Sequence, residues 1–139
     1  MDQETLVSDR LRAGIDLIDS LKGSKLNVVD AYWCYDEEAY RWYLFLVSPF
    51  VEEHGSMPAY AVVQEAMGNA PCYTHNEDRV DLLDVKVVAP GRPVAAGVAD
   101  YIETYRPSYV THFDRTSLNG RYIRDMYIYP RTFVQEAGQ

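Results

Sequence analysis

Val28-Val29-Asp30-Ala31-Tyr32-Trp33-Cys34-Tyr35 and Tyr40-Arg41-Trp42-Tyr43-Leu44-Phe45-Leu46-Val47, separated by Asp36-Glu37-Glu38-Ala39, decide the fold. Both runs are dense in aromatic and β-branched residues, which suit a pleated, half-buried surface. The acidic segment between them reads as a turn, so the stretch predicts a long β-hairpin at the centre of a sheet. With Tyr35 and Tyr40 flanking the turn, one face carries Val29 opposite Leu46, Ala31 opposite Leu44 and Trp33 opposite Trp42. The other carries Val28 opposite Val47, Asp30 opposite Phe45, Tyr32 opposite Tyr43 and Cys34 opposite Arg41. The first face is wholly apolar and is expected to meet the helices. The second mixes aromatics with one acid and one base. A slip of one residue would exchange the two sets, which makes the register a sharp expectation.

Around this hairpin the chain alternates helical and extended patterns. Leu11, Ile15 and Ile18 recur at helical spacing, predicting an amphipathic helix from about Thr5 to Lys22. Gly14 interrupts it at a cost of up to about 1 kcal/mol relative to Ala, and its expected use is close approach to the sheet. Ser48-Pro49 ends the hairpin, because proline cannot donate to a ladder. A short helix is expected over about Pro58 to Met67, a polar loop over Asn69 to Asp78, and a strand over Leu82 to Val88. Val94, Val98, Tyr101, Ile102 and Tyr105 mark one face of a further helix, stopped by Pro107. Asn119-Gly120 joins a second hairpin, Tyr109 to Leu118 and Arg121 to Tyr129, because a type I′ turn needs positive φ twice. Its expected register sets Thr111 opposite Ile128, Phe113 opposite Met126, Arg115 opposite Arg124 and Ser117 opposite Tyr122 on one face. The other face then holds Val110 opposite Tyr129, His112 opposite Tyr127, Asp114 opposite Asp125 and Thr116 opposite Ile123. Residues after Pro130 are expected to be loose. The order is α-β-β-α-β-α-β-β: a single α+β domain over residues 1–139, with one mixed five-stranded sheet and helices mainly on one face.

Composition narrows the function. The formal net charge of −8 opposes phosphate binding, which needs clustered Lys and Arg, so a nucleic-acid partner is disfavoured. Asp2, Glu4, Asp9, Asp16 and Asp19 give the first twenty residues the wrong charge for a targeting peptide. The apolar runs are too short for a membrane span. Two cysteines, Cys34 and Cys72, make no disulfide framework. A reduced, cytoplasmic protein is expected, with no membrane partner.

The pattern Ala31-Tyr32-Trp33-Cys34-Tyr35, Arg41-Trp42-Tyr43-Leu44, Ser48-Pro49, Asn119-Gly120 and Ile123-Arg124-Asp125-Met126-Tyr127-Ile128-Tyr129 resembles a group of short bacterial proteins of unassigned function. The resemblance implies a bacterial-type, single-domain origin. It brings no catalytic residues, because its motifs are structural.

Three groups could carry chemistry. His112 and Asp114 alternate on one strand, and Asp125 falls directly across from Asp114. Like charges so opposed are destabilising unless something compensates, and His plus two carboxylates is a ligand set for Zn or Fe. The plainer reading is a solvated face, or service by Arg121 or Arg124. Cys72-x-x-His75 with Glu77 and Asp78 is half a metal motif in a loop. Asp36-Glu37-Glu38 sits on a hairpin tip, and Glu52-Glu53-His54 precedes a helix, where acids are ordinary. Phosphate loops and dinucleotide fingerprints are missing, so no catalytic residue and no cofactor are assigned.

Tyrosine is the distinctive feature: twelve of 139 residues. Tyr buries much area at low entropy cost and keeps a polar tip, which favours interfaces. The expected contact surface is an open sheet face carrying Tyr32, Tyr43, Arg41, His112, Tyr127 and Tyr129. The leading reading is a non-enzymatic interaction protein, contacting a protein partner or forming a homodimer, with acidic charge selecting a basic partner as in small chaperones, antitoxins or immunity proteins by analogy. A metal-dependent enzyme or metal-binding protein using His112, Asp114 and Asp125, and a module whose tyrosines stack a flat ligand, are the alternatives.

Overall fold

The computed structural model describes residues 3–69 and 80–135. Its elements are α1 (Gln3–Leu21), β1 (Asp30–Asp36), β2 (Arg41–Val47), α2 (Phe50–His54), α3 (Ser56–Asn69), β3 (Val85–Val88), α4 (Pro93–Tyr105), β4 (Thr111–Leu118), β5 (Arg121–Ile128) and α5 (Arg131–Val134). The strands form one sheet in the order β3-β2-β1-β5-β4. Only the β2–β3 pair is parallel, so the sheet is mixed and the fold is α+β as the pattern predicts. The sequence reading missed α2 and α5, each too short to show a helical period.

Alternation along β1 and β2 builds a core on each side of the sheet. Ala31, Trp33, Leu44 and Leu46 point to one face, where they meet Leu17 and Ile18 of α1, Val63 of α3 and Val134 of α5. Tyr32 and Val47 point to the other, beneath Ala95, Val98 and Ile102 of α4. The helices thus lie mainly on one face, with α4 alone on the opposite one. That single helix overturns the expectation that Tyr32 lies open: it is 2% exposed and its ring stacks on Phe45 at 5.0 Å.

The hairpin register differs from the expected one by a two-position shift. Trp33 pairs with Leu44 and Asp36 with Arg41. The cause is local. Asp36 Oδ1 accepts hydrogen bonds from the amides of Glu38 (2.9 Å) and Ala39 (3.2 Å), closing the turn one residue later than composition suggests. Tyr40 completes the turn at φ 55°. Because side chains alternate with period two, the shift leaves the faces of β1 and β2 intact, but Val28 and Val29, which precede β1, exchange sides: Val28 packs with Trp33 and Val29 with Tyr32.

In the second hairpin Thr111 pairs with Ile128 and Leu118 with Arg121, as expected. Asn119 and Gly120 both have positive φ (48° and 79°), the requirement of a type I′ turn. The expected strict alternation fails at Arg115, whose φ is 54°. Past this kink the faces exchange, and Ile123 joins Met126 and Ile128 under α4.

Residues 131–135 are tied down rather than loose, and the residues after them lie outside the described ones. Arg131 makes a two-pronged ion pair with buried Asp30 (2.8 and 3.1 Å), and the Gln135 side-chain amide donates to the Val29 carbonyl at 3.1 Å. Asp30 thereby has a partner in a place where a lone carboxylate would be costly.

Gly14 lets α1 settle onto the sheet. A Cβ there would fall on the Tyr129 hydroxyl and 2.9 Å from Trp33 Nε1. An exposed helical Gly→Ala change gains up to about 1 kcal/mol, whereas Gly14→Ala is expected to lose about 1–3 kcal/mol through overpacking. Thermal unfolding checks the sign, and a raised midpoint would show that α1 and the sheet are not so closely apposed.

Candidate functional site

The tyrosine surface expected from sequence divides into three parts. Tyr32 and Tyr129 are 2% and 0% exposed, so neither can serve a contact surface. Both are removed by helices that a two-dimensional strand pattern does not contain: α4 covers Tyr32, and α1 covers Tyr129. Tyr43 stays half-buried on the α4 side of the sheet, whereas Tyr127 lies with Trp33 and Trp42 on the α1 side. Arg41 is committed to Asp84, 2.5 Å away, in the short turn that leads into β3.

On the α1 side, the sheet extends past the helix toward the β1–β2 turn and leaves a row of rings half-exposed. Tyr35 meets Trp42 edge-on at 5.5 Å, Trp42 meets Tyr127 at 5.7 Å, and His112 stacks flat on Tyr127 at 4.3 Å. The register explains the row: β1 pairs Tyr35 with Trp42, and β4 pairs His112 with Tyr127. Sequence reasoning assigned Trp42 to the core because its face is apolar. The missing fact was how far α1 reaches across that face.

His112 Nε2 lies 2.5 Å from Asp125 Oδ1. This contact gives Asp125 a hydrogen-bond partner from the same strand that carries Asp114. The three side chains nevertheless do not build a metal centre, since among the described residues no group of three or more His, Cys, Asp and Glu is placed to hold a metal ion. Cys72-x-x-His75 with Glu77 and Asp78 lies outside the described residues. The Tyr127 phenol is held above its ordinary range, first by burial and then by the Asp125 charge. At the inner end of the row, Arg10 adjoins Trp33, Trp42 and Tyr127, and its buried Nε has no hydrogen-bond partner among the described residues.

On the α4 side the uncovered end of the sheet forms a groove of about 350 Å³. Cys34, Tyr43 and Phe45 lie along it, Lys86, Tyr122 and Arg124 flank it, and the acidic β1–β2 turn borders one end. Lys86 Nζ sits 4.8 Å from the centre of the Tyr43 ring, and the Arg124 guanidinium lies 5.2 Å from that of Tyr35. Lys86 had no signal in the sequence, since nothing there sets β3 beside β2 in this register, and Arg124 was weighed only as a partner for Asp114 and Asp125.

Comparison with known protein families, with curated proteins and with solved structures finds no match for this chain. Among the described residues no helix is long and apolar enough to cross a membrane.

The chemistry of the groove is set by a protonated thiol. Burial, then Asp36 and Asp125, push the Cys34 pKa up to about 11. Cys34 is therefore a neutral thiol at pH 7 and a poor nucleophile. In a Cys72→Ser background, alkylation of Cys34 by iodoacetamide, followed by mass spectrometry, is expected to keep accelerating between pH 7 and about 10, roughly in proportion to hydroxide. A plateau near pH 9 would contradict this.

Proposed function

We propose that this chain is a non-enzymatic protein-interaction protein whose contact surface is the Tyr35–Trp42–Tyr127–His112 row, and that its first partner is a second copy of itself. The observation that carries the reading is the row: four rings in mutual contact, held on rigid strands and left half-exposed. Rigid aromatics lose little entropy on contact and dominate the energetics of protein interfaces. The row also carries both signs of charge, Arg10 at its inner end and Asp114 and Asp125 near His112 at the other. In a two-fold contact the basic end of one patch meets the acidic end of the other. A cytoplasmic location and the bacterial character implied by the hairpin motifs belong to this proposal.

Sedimentation equilibrium tests it, with ionic strength as the discriminating variable. Two bodies of net charge −8 repel, so self-association is expected to strengthen as salt rises toward ~0.15 M, where screening lengths fall to about 8 Å. Trp42→Ser is expected to shift the equilibrium to monomer by at least tenfold in Kd, since a central interface aromatic is worth about 2 kcal/mol or more. A strict monomer at millimolar concentration overturns the homodimer. A complex with a basic partner would instead weaken with salt and still fail on Trp42→Ser.

A further inference from the structure

The groove on the α4 side touches the aromatic row only at Tyr35 and carries a different chemistry. Its base is apolar and flat: Tyr43 lies beside Phe45, which is itself backed by the buried Tyr32 ring. Tyr122, 63% exposed, stands at one edge. The volume falls at the small end of ordinary ligand sites, which suits one or two rings.

The two cations of this groove lie over ring faces. Lys22, Arg41 and Arg131 pair with carboxylates at 3.0, 2.5 and 2.8 Å. Lys86 has no carboxylate within ion-pair distance among the described residues, and is held over the Tyr43 ring instead. Arg124 reaches Glu37 only at 3.8 Å and lies over the Tyr35 ring. Ring faces attract a cation without neutralising it, so both groups keep their N–H donors for an incoming anion. The neighbouring acids are partly committed. Asp36 accepts two turn amides, and Glu37 faces Arg124. Glu38 is left exposed at the rim. Asp36, Glu37 and Glu38 line the groove together with Lys86 and Arg124, so its anion-binding character is local to Lys86, over the Tyr43 ring, rather than a property of the whole interior.

We propose that this groove binds a small flat aromatic molecule carrying one negative charge, such as an aromatic carboxylate or sulfonate. Its ring lies against Tyr43 and Tyr122, and its anionic group meets Lys86, with Arg124 at the facing wall. The acidic border and the net charge of −8 exclude polyphosphates, whose added charges gain no further cations. Binding is non-covalent, since Cys34 stays a thiol.

Fluorescence titration with anilinonaphthalene sulfonate, compared with its uncharged counterpart N-phenylnaphthylamine, tests the assignment. The sulfonate is expected to bind the wild-type chain more tightly than the uncharged dye. Lys86→Ala is expected to weaken the sulfonate about tenfold, the size of one lost charge-assisted hydrogen bond, and to leave the uncharged dye unchanged. Tyr43→Leu weakens both dyes, His112→Ala on the other face changes neither, and millimolar ATP does not compete. The proposal is overturned if folded Lys86→Ala protein, with an unchanged unfolding midpoint, binds the sulfonate as the wild type does. It is also overturned if His112→Ala or Trp42→Ser abolishes binding, which places the dye on the aromatic row instead. Neither failure bears on the oligomeric state, so this proposal and the interaction reading stand or fall separately.

Discussion

A buried hydrogen-bond relay sets the position of everything else. Trp33 Nε1–H donates to the Tyr129 hydroxyl at 2.9 Å, and that hydroxyl donates to the Leu11 carbonyl at 2.7 Å. It joins the central strand, the residue that follows β5 and the middle of α1. Trp33 and Tyr129 are 3% and 0% exposed, so each polar tip needs a partner inside the protein. Satisfying both tips from one helical carbonyl leaves α1 little freedom to slide, and Gly14 removes the Cβ that would stand in the way. The location of α1 then decides how much of the sheet remains open. Trp33 lies under the helix, whereas Trp42, Tyr127 and Tyr35 emerge beyond it.

The opposite face follows the same logic with one helix. α4 seals Tyr32, whose phenol is driven far above its ordinary range by burial, with Cys34 and Asp30 adding to the shift and Arg92 opposing it. The contact between α4 and the second hairpin is close: a Cβ on Gly97 would come within 3.0 Å of Leu118, and the Asn119 amide donates to the Pro93 carbonyl at 2.9 Å. The positive φ of Arg115 turns the strand so that Ile123 and Leu118 also reach α4. The helix is thereby fixed over the β5 half of this face, and the Tyr43 end stays uncovered as a groove. Both candidate surfaces are consequences of where two helices stop.

The hairpin pattern carried the fold because alternation is a local property. Ala31, Trp33, Leu44 and Leu46 are apolar on one parity, and they are buried on one face even though the register moved by two positions. The Asx turn at Asp36 that moved it was present in the residues, but choosing among turns needs backbone geometry. Asp30 was visible as an acid among apolar residues, yet its partner Arg131 is a hundred residues away and lay in a tail expected to be loose. The site was less legible. His112 and Tyr127 were correctly set opposite each other, because the Asn119-Gly120 turn fixes their pairing. Tyr32 and Tyr129 were misassigned to the surface, and Trp42 packs on the core as expected but is only partly covered, because coverage by helices is not written in strand alternation.

Although the strand expected from Leu82 starts only at Val85, the sequence by itself determined that five strands form, which parities share a face along β1 and β2, the Asn-Gly hairpin and the charge the chain presents. These depend on neighbours within a few positions, where φ/ψ preference and side-chain period act directly. Only the tertiary structure decided which aromatics are open, which cations are left to rings rather than carboxylates, and which acid compensates which base. Those outcomes depend on distances between elements far apart in the chain, set by the Trp33–Tyr129–Leu11 relay on one face and by the seat of α4 on the other.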